Sequence, residues 1–155
     1  MGLEAINFAY LPPESKSDVV LNDFSKLPGI IPKIGGGQGR YVIKNDDYLI
    51  DFLVQGKNLS VRIALCCSSK SIEKVFDIFK TFSEKYGGQL KVIQSKKVIV
   101  HFTNDDLKSM VSAFEERRKV FVEQIADISN MPLSSDDVFN YIRQENIKPK
   151  GYQIL

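Results

Sequence analysis

With 155 residues, 43% of them hydrophobic and 26% charged, the chain has the make-up of one globular domain rather than a disordered or membrane-spanning segment. Its formal net charge of +2 is too small to recruit nucleic acid or anionic lipid by bulk electrostatics. Two cysteines and one histidine cannot supply the paired spacings of a structural zinc site, so no metal and no cofactor is expected.

The first residues, Met1-Gly2-Leu3-Glu4, show no basic stretch leading into an apolar one, so no signal peptide is read there. Gly2 lacks the Ser or Thr that a myristoylation motif wants, because position 6 is Ile6. No apolar run approaches the ~18 residues of a membrane span. Cytoplasm is the expected compartment, with no membrane partner.

Glu4 to Tyr10 alternates, with Ile6, Phe8 and Tyr10 on one side, and predicts a strand ended by Pro12-Pro13. Ser17 to Leu27 predicts a short helix carrying Val20, Phe24 and Leu27 along one side. Pro28-Gly29, Pro32 and the cluster Gly35-Gly36-Gly37-Gln38-Gly39 predict a long glycine-rich loop over 28–39. Phosphate cradles place such glycines before a helix, but Arg40-Tyr41-Val42-Ile43 follows as a strand, and neither common glycine-loop motif is met.

Arg40 to Lys44 and Tyr48 to Val54 read as strands about Asn45-Asp46-Asp47, and Gln55-Gly56-Lys57-Asn58 turns the chain into the next strand. The stretch from Leu59 to Phe102 organises the rest. Leu59, Val61, Ile63, Leu65 and Cys67 alternate as one face of a strand, which predicts that Cys66 and Cys67 point to opposite sides. Ile72, Val75, Phe76, Phe79, Phe82 and Tyr86 then recur every three or four residues, the stripe of a helix capped at Ser69 or Ser71 and stopped by Gly87-Gly88. Leu90 and Val92, then Val98, Val100 and Phe102, predict a hairpin about Gln94-Ser95-Lys96.

Thr103 or Asn104 can cap a long helix with Asp105 and Asp106 in its first turn and Leu107, Met110, Val111, Phe114, Phe121, Ile125 and Ile128 along its apolar side. Arg118 falls within that stripe. Ser134-Ser135-Asp136-Asp137 has capping-box character, predicting a short C-terminal helix near 134–145 with Val138, Tyr141 and Ile142 inward, before an aperiodic tail. Residues 1–155 are expected to form a single α+β domain: one antiparallel sheet of about five or six strands with helices packed on one face.

That alternation assigns two sides to the sheet. One, facing the helices, carries Tyr41, Ile43, Tyr48, Ile50, Phe52, Val54, Val61, Ile63, Leu65, Leu90, Val92, Val98, Val100 and Phe102. The other carries Arg40, Val42, Lys44, Leu49, Asp51, Leu53, Ser60, Arg62, Ala64, Cys66, Lys91, Ile93, Lys97, Ile99 and His101. That second side is mixed and net basic. It is expected to be solvated, to bind a partner, or to be covered by the chain's own termini.

Cys66, His101 and Asp51 share that side and are the residue types of a thiol, a base and an orienting carboxylate, which makes them the candidate catalytic set. Against it, the phosphatase-like spacing from a cysteine to an arginine fails, and buried free cysteines usually act as small hydrophobes. Base stacking on nucleic acid needs exposed aromatics, and the sheet's aromatics all fall on the helix side. The expectation is therefore a non-enzymatic protein-binding domain, with Arg40, Arg62, Lys91, Ile99 and His101 as partner-binding residues. The partner is another protein, a second copy of the chain included. Bacterial toxin-immunity and regulatory proteins are small domains that work this way. A cysteine-dependent enzyme or thiol-redox protein is the alternative, and a nucleic-acid binder the second.

Overall fold

The computed structural model describes residues 4–33, 35, 37–124 and 131–144. The strands are β1 (Ala5–Leu11), β2 (Ile31–Pro32), β3 (Arg40–Lys44), β4 (Leu49–Gln55), β5 (Asn58–Ala64), β6 (Gln89–Val92) and β7 (Lys97–Ile99). The helices are α1 (Ser17–Phe24), α2 (Lys70–Tyr86), α3 (Asn104–Gln124) and α4 (Ser135–Gln144). All seven strands form one antiparallel sheet in the order β2-β3-β4-β5-β1-β6-β7. The α+β class and the antiparallel sheet are as the periodicities indicate. The added strand is β2, two residues in the proline- and glycine-rich loop that hold too little pattern to be seen.

Local chemistry explains the element ends. Asn45 accepts from the amides of Asp47 and Tyr48 through its side-chain oxygen, closing the β3–β4 turn. Thr103 and Asp106 exchange bonds at the start of α3, with Asp106 N–H donating to Thr103 Oγ1 and Thr103 N–H to Asp106 Oδ2. Ser134 Oγ accepts from Asp137 N–H and caps α4. At α2 neither expected serine caps through its side chain; Ser68 Oγ accepts from Lys70 N–H instead.

One face of the sheet is the core. Ile6, Phe8, Tyr10, Ile50, Phe52, Leu59, Val61, Ile63, Leu90 and Val92 are buried on it. Phe24 of α1 meets the rings of Phe52 and Tyr41 edge-on at 5.0 and 5.6 Å, and Phe79 of α2 stacks on Tyr10 at 4.8 Å. Met110, Phe114 and Phe121 of α3 join the same cluster, while Ile125 and Ile128 lie outside the described residues, as do the side chain of Ile142 and the tail.

β7 is registered one residue away from the expectation. Leu90 pairs with Ile99 and Lys91 with Val98, so Ile99 turns inward and is 2% exposed, whereas Val98 and Val100 are 45% and 50% exposed. Three consecutive apolar residues carry no alternation, and only the partner strand decides which points in. Lys97 likewise lies on the helix side, opposite Val92, where it pairs with Asp106.

The opposite face is neither bare nor fully covered. Val42, Leu49 and Ala64 are buried on it, and Arg62 donates from Nη1 to the Ser135 hydroxyl, which sets the first turn of α4 against β5. The C-terminal helix thus meets the side of the sheet away from α1 and α2. The β6–β7 end of that face is open.

Candidate functional site

Cross-strand pairing arranges the outer face in rows. One row runs Ile31, Val42, Asp51, Arg62, Asn7 from β2 to β1. The next runs Arg40, Leu53, Ser60, Ala9, Lys91, Val98 from β3 to β7. Of the five expected partner-binding residues, Arg40, Arg62 and Lys91 therefore share the outer face. Ile99 does not, because of the β7 register. His101 is exposed just beyond β7.

Where the two rows meet α4 there is a cleft of about 280 Å³, lined by side chains that include Asn7, Lys33, Arg40, Asp51, Arg62, Ile93 and Asp136. Lys33 Nζ bonds Asp51 Oδ1 at 3.0 Å. Arg62 Nε donates to Asn7 Oδ1 at 3.2 Å and Nη1 to Ser135 Oγ at 3.2 Å. Burial pushes the Asp51 carboxyl above the usual carboxylate range, a stronger influence than the Lys33 ammonium that pulls it down. Beside the cleft, Ile93 is 42% exposed and continues toward Val98 and Val100.

The candidate catalytic set is not assembled. Register carries Ile99 through Leu90 and Tyr10 to Leu59, whereas Cys66 follows Ala64 at the other end of β5. Three interstrand spacings and about five residues of rise from Leu59 to Ala64 already put Ile99 and Ala64 roughly 20 Å apart, and His101 and Cys66 follow those two positions at opposite ends of the sheet. Asp51 is bonded to Lys33.

The chain matches no protein-family model, no curated protein and no solved structure.

The cysteines also differ from the expectation of opposite faces. β5 ends at Ala64, and the chain turns there, with Cys67 N–H donating to Ala64 O at 3.1 Å. Both thiols are buried and face the segment before α4: Cys66 Sγ lies 3.4 Å from Met131 O, and Cys67 Sγ 3.6 Å from Leu133 O. A hydrogen bond shared with Cys67, together with burial, pushes the Cys66 thiol up. Such a thiol is protonated and a poor nucleophile. Arg118 of α3 donates from Nε to Cys67 O at 2.9 Å.

Among the described residues no group of His, Cys, Asp and Glu could hold a metal ion, and no helix is long and apolar enough to cross a membrane. Sequence reasoning missed Asn7, Lys33, Ser135 and Asp136 as cleft residues. Asn7 was within reach, since the alternation of Ile6 and Phe8 already turns it outward. Lys33 was not, because it sits in an aperiodic loop.

Proposed function

We propose that this is a non-enzymatic protein-binding domain that docks its partner on the open half of the outer sheet face, in a reducing compartment such as the cytoplasm. The observation that carries the reading is the apolar group Ile93, Val98 and Val100, each between 42% and 50% exposed, on and beside the short edge strand β7. Lys91, paired with Val98, gives the group a basic rim. Exposed apolar anchors with a charged border are the ordinary make-up of a docking surface. Two free, buried cysteines suit a compartment where disulfides do not persist.

The alternatives draw less support. A thiol mechanism needs an accessible thiolate with a base in reach, and Cys66 and Cys67 are buried at the far end of the sheet from His101. Base stacking needs exposed rings, and the strand aromatics Phe8, Tyr10, Tyr41 and Phe52 occupy the helix side.

The test compares the immobilised chain with a Val98→Asp, Val100→Asp double variant against extract of the native host, alongside the solution mass of each. The reading expects a protein retained by the wild type and lost from the variant, or a wild-type dimer that becomes monomeric, with the melting temperature unchanged. Identical retention and identical mass for the two proteins overturn it.

A further inference from the structure

The cleft beside α4 is unevenly charged. Lys33, Arg40 and Arg62 surround it with Asp51 and Asp136, three cations against two carboxylates. Lys33 is committed to Asp51. Arg62, only partly exposed, gives its bonds to the Asn7 amide oxygen and the Ser135 hydroxyl, both neutral acceptors. Among the described residues no carboxylate oxygen lies within 4.0 Å of either Arg62 or Arg40. Asp51, the neighbour of Arg62 across the β4–β5 pair, attracts it but is already bonded to Lys33, so the guanidinium keeps part of its positive field in the cleft, and its planar fork suits a carboxylate.

We propose that this cleft receives a single carboxylate from the docking partner, a glutamate or aspartate side chain seated against Arg62, with Arg40 approaching from the exposed rim. The proposal rests on the docking reading, and supplies the partner's chemistry: an acidic residue beside an apolar patch that meets Ile93, Val98 and Val100. Charge balance selects the monoanion. One excess positive charge is matched by one carboxylate, whereas a phosphate dianion or a nucleic-acid backbone brings surplus negative charge toward Asp51 and Asp136. Leu53 and Ile93, which also line the cleft, suit the methylenes of an acidic side chain.

The test is an NMR titration of the whole chain, following the Arg62 and Arg40 Nε–H signals. The probes are N-acetylglutamate amide, its neutral glutamine counterpart, succinate and inorganic phosphate. The expected result is a saturable shift of both signals with the blocked glutamate and none with the glutamine compound. Arg62→Gln should weaken that binding about tenfold or more. Since Arg62→Gln also removes the bond to Ser135, the rim variant Arg40→Gln serves as the second reading, with a several-fold loss expected and the fold untouched.

Absence of a shift with all four probes overturns the proposal, as does equal or tighter binding of phosphate. Tighter binding of succinate makes the cleft a site for a free small acid and overturns the assignment to a partner. The Val98→Asp, Val100→Asp variant should titrate like the wild type. Failed capture with an intact titration thus counts against the docking reading, and intact capture without a titration against the cleft.

Discussion

Gly88 offers a sharp test of the packing between the end of α2 and the central strand β1. Its φ is +96°, and a Cβ there would sit 2.8 Å from the Leu11 carbonyl oxygen, 2.8 Å from the Tyr10 hydroxyl and 3.0 Å from Tyr10 Cζ. None of these can give way easily. Leu11 O is strand backbone, and Tyr10 is fully buried, stacked on Phe79 and donating to Gly87 O at 2.5 Å. For Gly88→Ala the positive φ costs about 1–2 kcal/mol, and forcing a methyl into a filled space adds about 1–3 kcal/mol. The sum, about 2–5 kcal/mol, is a large part of the ~5–15 kcal/mol that holds a domain. Gly56→Ala is the internal control, because its φ is +60° and nothing lies within 4 Å of the added Cβ. It should lose only the first part. In urea unfolding followed by far-UV circular dichroism, a slope near ~2 kcal/mol/M converts these losses to midpoint drops of about 1–2.5 M for Gly88→Ala and about 0.5–1 M for Gly56→Ala. Equal drops in the two variants would refute the close approach of Gly88 to β1.

Two further outcomes are expected beside those given for the docking patch and the cleft. Burial pushes the Tyr10 hydroxyl from 10.0 to about 12, so the folded chain keeps this proton after the unfolded chain has lost it. The contribution is complete below pH 10 and declines as pH rises through the interval to about 12. Comparing urea midpoints below pH 10 and near pH 12 should show an alkaline loss about 2 kcal/mol smaller in Tyr10→Phe than in the wild type; equal losses would contradict the burial of that hydroxyl. For the thiols, iodoacetamide at neutral pH should leave Cys66 and Cys67 unmodified in the folded chain and label both at the rate of unfolding. Prompt stoichiometric labelling of the folded protein would instead revive the cysteine mechanism.

Much of this architecture is local chemistry and could be read along the chain. The two-residue alternation of Ile6-Phe8-Tyr10 and Leu59-Val61-Ile63, the three-and-four spacing of Ile72 to Phe82, and the caps at Thr103 and Ser134 are properties of neighbouring residues alone. Those determined the class of fold and put the aromatic rings on one side of the sheet. The outer positions of Arg40, Arg62 and Lys91 came with them.

Pairing across the chain decided the rest. Val98-Ile99-Val100 has no polar residue to break the tie, so only its contact with Leu90 and Lys91 makes Ile99 a core residue and the valines a surface patch. β2 exists because β3 offers it an edge, and the two thiols share a side because the chain turns at Ala64. The cleft has the same origin: Asn7, Lys33, Arg62 and Ser135 are far apart in sequence and meet only once β1 has paired with β5 and α4 has come to rest on the outer face. A side chain's period is set by its own backbone, whereas its neighbours across a sheet are set by strands the local pattern never sees.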